Sequence, residues 1–331
     1  MKTKHILVPT DFSDASIEGL KMAAHFVELY DSCVDLMHVI PLMSYYDESM
    51  EHLGVPFDME NDLYPKVLKS ANEKLHEIAA RHLPKEHCGK LVNKVGRKTS
   101  RVITDEANRG HYDLIIMSNK GSHQTKDVRS GVTEQVIRYS EIPVLSINTA
   151  FHEKEINNIL VPVDGSDESA APLVQAYDLA KTFSADLTLM HIIEPYTLGM
   201  EVLPMVVEDD DTVYESLITS ISTYFDEHPK LGFHIKRGKE AYTDQLVHEK
   251  DGMVEAVTLK SEVKKGFSAH TEIVDYAEEH ADLVVMSTHG RTGIARVLLG
   301  STTGIVAQHL KKPLLTMRPN VKFTEEAPTS D

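Results

Sequence analysis

The chain carries one pattern twice, and this repetition limits what it can fold into. Residues 5–11 read His-Ile-Leu-Val-Pro-Thr-Asp and residues 158–164 read Asn-Ile-Leu-Val-Pro-Val-Asp, 153 positions apart. Each apolar run is followed by a short polar turn, Phe12-Ser13-Asp14 or Gly165-Ser166-Asp167, and then by a helical pattern ending near Tyr30 or Phe183. A second apolar run comes next, Val34 to Ile40 and Leu187 to Ile193, with His38 and His191 again 153 apart. Further on, Asp113 to Gly121 matches Asp282 to Gly290 at an offset of 169, so the second copy has gained 16 residues. The extra length falls best in Gly232 to Glu262, where Lys, Glu, Asp and Gly are dense and periodicity is poor.

Each copy ends with a helical stretch, a proline and a short apolar run, Ile142 to Ile147 and Lys312 to Met317. Apolar strands alternating with amphipathic helices predict an α/β fold of two tandem, doubly wound domains. Each is a mostly parallel five-stranded sheet with helices on both faces. The expected boundaries are 1–150 and 155–319, with a polar linker at His152 to Asn157 and a flexible tail at 320–331. A chain of 331 residues is long enough to bury two such cores.

In an open parallel sheet, ligands sit beyond the carboxyl ends of the strands where strand order reverses. Pro162-Val163-Asp164, Ile192 and the stretch Met286 to Thr303 would converge there. That last stretch leaves a buried strand at Met286 and enters a helix over Ser301 to His309. Gly290, Gly293 and Gly300 allow close backbone approach, and Ser301 stands at a helix start, where free N–H groups and the helix dipole favour an anion. A carboxylate, an apolar wall and a glycine loop before a helix together suit a ribose, a base and phosphates.

Other chemistries lack their motifs. There is no G-x-x-x-x-G-K-[ST] phosphate loop, no G-x-G-x-x-G after either first strand and no G-x-S-x-G elbow. The formal charge of −17, with no basic stripe, argues against a nucleic-acid partner. No stretch approaches the ~20 apolar residues of a membrane span. The opening residues do not read as a signal peptide and only two cysteines occur, so a reducing cytoplasm is the expected compartment.

The duplicated Ile-Leu-Val-Pro-x-Asp opening, the His-Val/Ile-Ile second strand and the Ser287-x2-Gly290-x9-Gly300-Ser301 loop resemble the universal stress protein family, as a tandem pair over nearly the whole chain. The nucleotide-binding branch of that family is marked by G-x2-G-x9-G-[ST]. The second half departs from it only at Ser287, a small residue. The resemblance implies an adenine nucleotide α-hydrolase-like fold and ATP, with or without Mg²⁺, as ligand. It implies that Pro162, Val163, Asp164 and Ile192 line the adenosine side, with Asp164 toward the ribose or adenine. Met286, Ser287, Gly290, Gly300, Ser301 and Thr302 would hold the ribose and phosphates, with positive charge from His289 and Arg291. In the first half, Ser118-x2-Gly121-x9-Gly131 keeps the spacing, while Val132 stands where the hydroxyl is expected. The resemblance also implies that Val144 to Ile147 pairs with Leu314 to Met317, making one chain a pseudo-dimer; association of two chains is left open.

No residue of the loop offers a general base for water, so the expected role is regulatory nucleotide binding in a stress response, with at most slow hydrolysis. The rival expectation is a nucleotide-independent scaffold. Glu208 to Asp211 reads as a solvated loop before a capping box at Thr212 to Glu215. His76, His82, His87 and Cys88 match no zinc spacing, so no metal is expected. His38 and His191 read as satisfied core residues, Cys33 as an apolar filler and Cys88 as an exposed thiol.

Overall fold

The computed structural model describes residues 3–41, 64–119, 131–148, 156–194, 209–289 and 299–319. The first half contains β1 (His5–Pro9), α1 (Asp14–Tyr30), β2 (Cys33–Pro41), α2 (Tyr64–His82), β3 (Cys88–Gly96), α3 (Thr99–Arg109), β4 (Leu114–Ser118), α4 (Val132–Tyr139) and β5 (Val144–Ile147). The second begins with β6 (Asn158–Pro162), α5 (Asp167–Ala170), α6 (Leu173–Phe183), β7 (Asp186–Ile193) and α7 (Asp210–Glu227). It continues with β8 (Phe233–Lys236), β9 (Thr243–Lys250), β10 (Met253–Lys265), α8 (Ala269–His280), β11 (Leu283–Ser287), α9 (Ser301–His309) and β12 (Leu314–Met317). No described helix is long and apolar enough to cross a membrane.

The twelve strands among the described residues join one sheet in the order β3-β2-β1-β4-β5-β12-β11-β6-β7-β10-β9-β8. Successive side chains of a strand point to opposite faces, so an uninterrupted apolar run needs cover on both. Ile6 and Val8 accordingly enter one core layer, with Leu20 of α1, Leu75 of α2, Tyr177 of α6 and Leu217 of α7. Leu7 enters the other, with Ile103 of α3, Val136 of α4, Ile273 of α8 and Val306 of α9.

The five parallel strands expected of each half are present, and the second half adds an antiparallel pair. The inserted residues sit where the sequence places them, in 232–262, and they form strands. Long β10 pairs with β9 through its first part, Met253↔Lys250 to Lys260↔Thr243, and with β7 through its second, Leu259↔Leu187 to Lys265↔Ile193. Residues 253–256 lie exposed at the hairpin tip, so this stretch carries no apolar period to read. Helix α7 corrects one sequence expectation. Its cap is Asp209, whose carboxylate accepts the Thr212 N–H at 2.8 Å, rather than Thr212 itself. An aspartate there satisfies an open N–H and complements the helix dipole, so Asp209 to Asp211 feed the helix start.

The halves meet at β5 and β12, which pair antiparallel through Ser146↔Leu314, Leu145↔Leu315 and Val144↔Thr316. Both seam strands are fully buried. Around them the Gln308 amide donates to Glu134 at 2.8 Å, the Tyr30 hydroxyl donates to Thr182 at 3.0 Å, and the Phe183 ring stands 6.2 Å from Phe26. Because the join is antiparallel, the carboxyl ends of the two sets of parallel strands open on opposite edges of the sheet.

Candidate functional site

In the second half the strand order reverses between β11 and β6, which are neighbours although the chain reaches β11 last but one. Their carboxyl ends frame the cleft. Pro162 closes β6 opposite Met190, and the Val163 N–H donates to Met190 O at 2.9 Å, setting Asp164 just above the strand ends. The Asp164 carboxylate accepts both the N–H (3.0 Å) and the hydroxyl (2.5 Å) of Ser166, while its own N–H donates to Ser169 Oγ at 3.1 Å. Such local bonds fix the direction of a short acidic side chain. Ile192 of β7 and Met286 of β11 belong to the core layer beneath α8 and α9 and form an apolar floor.

His191 donates from Nδ1 to Val163 O at 2.9 Å, and His38 does the same to Thr10 O at 2.8 Å in the first half. A carbonyl can only accept, so Nδ1 carries the proton in each ring. Both histidines are thus hydrogen-bonded to the backbone beside the neighbouring strand, satisfied as the sequence suggests.

Ser287 is buried, and its presence in place of glycine is accommodated. Its hydroxyl accepts the His289 N–H at 3.2 Å, and its carbonyl accepts the Thr303 hydroxyl at 2.8 Å. The Gly300 N–H donates to Thr288 O at 2.9 Å, so helix α9 starts directly against the end of β11. A Cβ at Gly300 would stand 3.4 Å from Thr288 O, which marks the closeness of that approach. No side chain caps α9, leaving first-turn N–H groups aimed out of the helix beside the exposed Ser301 and the half-exposed Thr302. These groups fit a phosphate. Gly290 and Arg291 lie outside the described residues.

Burial, and next the Arg318 guanidinium, hold the His289 imidazole below the ordinary range against a smaller opposing pull from Glu168. Its Nδ1 lies against Thr288 Oγ1 at 2.9 Å.

The first half is built alike, with a shift the spacing hides. Asp11 accepts the N–H and hydroxyl of Ser13 as Asp164 does those of Ser166. Thr133 donates to Ser118 O at 2.8 Å, the bond that Thr303 makes to Ser287 O. The two threonines are 170 apart, as are buried Val136 and Val306, whereas Ser118 and Ser287 are 169 apart. The helix starts keep the 169 offset: Gly131 and Gly300 are both caps, each accepting the N–H four residues on, and Val132 stands where Ser301 does, without a hydroxyl. The one-residue slip to 170 falls inside the first helical turn, between that position and the paired threonines.

Thr303 is a residue that loop motifs do not single out, and its signal is its twin at Thr133. Thr303→Val keeps the shape and removes the strap from α9 to β11, leaving Ser287 O without that partner. A loss of about 1–2 kcal/mol in unfolding free energy is expected by urea titration. Arg318 also escapes sequence reading, because only the pairing of β12 with β11 brings it beside His289.

The remaining candidates do not assemble. His76 and His87 each donate Nδ1 to a carbonyl, of Asn72 (2.8 Å) and Ser32 (3.0 Å), and no group of three potential metal ligands occurs among the described residues. Cys88 is half-buried against the core rather than exposed, and burial followed by the charge of Asp35 raises its thiol and that of Cys33.

Two segments of the chain, 2–148 and 155–318, match the model of the universal stress protein family. A universal stress protein from Mycolicibacterium smegmatis is 24% identical over 322 residues, covering 95% of this chain and 97% of that protein. A universal stress protein E homolog from Haemophilus influenzae is 25% identical over 335 residues, covering 97% and 99%. Among solved structures, a universal stress protein from Archaeoglobus fulgidus superposes with a TM-score of 0.62 at 18% identity, covering 95% of this chain and 96% of that one.

Proposed function

The chain belongs to the universal stress protein family, and from that premise we propose that its second half binds ATP, with or without Mg²⁺, as a regulatory ligand. One observation carries the reading: an oriented carboxylate, an apolar floor and an uncapped helix start bearing a hydroxyl stand together at one carboxyl edge. Pro162, Val163, Asp164 and Ile192 take the adenosine, with Asp164 on the ribose or adenine side. Met286, Ser287, Gly290, Gly300, Ser301 and Thr302 take the ribose and phosphates, His289 adds a hydrogen bond, and Arg291 adds charge. The protein works in the cytoplasm, its domains are 1–150 and 155–319, and the first serves as structural partner, since Val132 there lacks the hydroxyl. Hydrolysis is slow at most.

The test is a thermal-shift titration. A ligand present at a hundred times its Kd stabilises the folded state by about 2.7 kcal/mol, so ATP with Mg²⁺ should raise the midpoint by several degrees. An unmoved midpoint at millimolar ATP would favour the nucleotide-independent scaffold.

A further inference from the structure

Among the described residues, the large apolar side chain most open to solvent is Phe267, at 85% exposure. It sits in the turn between β10 and α8, at the carboxyl end of β10. Lys264 and Lys265 lie in register with Ile192 and Ile193, and the Gly266 N–H donates to Ile193 O at 3.2 Å. Phe267 follows immediately. On its far side the Ala269 N–H donates to the Glu194 carboxylate at 2.6 Å. A Cβ on Gly266 would meet the Glu272 side chain, so this side of the turn is closely packed. The chain is thus tied on both sides of Phe267 to the end of β7, the strand that supplies Ile192, and it holds an aromatic ring in water. In the first half, Gly96 stands in register with Pro41 at the same place, and the residue after it is Arg97.

An exposed phenylalanine on a tethered turn costs solvation and gives no packing in the free protein. An aromatic ligand face recovers that loss, because base and ring stack through their π-faces without needing a hydrogen-bond code. We propose that Phe267 is the aromatic wall of the base subsite, stacking on the nucleobase whose ribose and phosphates Asp164 and the start of α9 receive. The inference rests on the nucleotide reading above and deepens it: the site takes a nucleoside polyphosphate and discriminates against a polyphosphate with no base.

The chain contains no tryptophan, so Phe267→Trp places a single indole reporter at this point. ATP should quench or shift its emission saturably, and inorganic tripolyphosphate should not. By calorimetry, Phe267→Ala should weaken ATP about tenfold while tripolyphosphate binds both proteins alike. The variants should keep the wild-type circular dichroism and melting temperature, since the ring packs on little. If wild-type protein binds ATP while the Phe267→Ala protein binds it equally and the indole stays silent, this inference falls and the nucleotide reading stands. If wild-type protein takes up no ATP, both fall.

Discussion

Ser301→Glu should abolish ATP binding without harming the fold. The substitution sets a carboxylate on the first residue of α9, beside the N–H groups that have no side-chain cap. Against a phosphate about 4 Å away, a like charge near a protein surface costs on the order of 4 kcal/mol, hence more than a hundredfold in affinity. For the helix alone the same carboxylate is favourable, by about 0.3–1 kcal/mol, because it faces the positive end of the dipole. Calorimetry and melting should therefore move in opposite directions: binding is lost while the midpoint holds or rises. Ser301→Ala separates hydroxyl from charge and should cost only about 1 kcal/mol, roughly fivefold. A Ser301→Glu variant that binds ATP like the wild type would remove the start of α9 from the site.

The second large effect concerns the inserted strands. Asp244 of β9 is 2% exposed and gathers the Tyr214 hydroxyl at 2.7 Å, the Gly238 N–H at 2.9 Å and Arg237 Nε at 3.4 Å. Arg237 also lies over the Tyr214 ring, 4.9 Å from its centre. One carboxylate thus ties β9, the turn after β8 and helix α7 together. Asp244→Ala leaves a phenol and an N–H without an acceptor and a guanidinium without its buried partner, at a cost of about 3 kcal/mol in urea unfolding. Asp244→Asn keeps an acceptor oxygen and should recover part of that loss. Full stability in the alanine variant would mean that the network is incidental.

Much of this architecture was legible in the residues. Apolar runs such as Ile6-Leu7-Val8 and Val284-Val285-Met286 are buried on both faces, which is why they read as parallel strands. The start of α9 at Ser301 follows from the glycine ahead of it and the periodicity behind it. Three features were hidden, each for a physical reason. β9 and β10 run out to an exposed tip at Met253 and Val254, so their pattern is set by the sheet edge and not by a core. The one-residue slip between the caps Gly131 and Gly300 and the threonines Thr133 and Thr303 shows only once those threonines are seen making the same bond. The lowered titration of His289 comes first from its burial and then from Arg318, a neighbour through strand pairing and not through sequence.

The proposed function rests on one site in one half. Isothermal titration of the intact chain with ATP and Mg²⁺ measures this directly, since the stoichiometry counts the working clefts. One ATP per chain, lost in Ser301→Glu, is the predicted result. No heat at millimolar ATP, or two equivalents per chain, would contradict it.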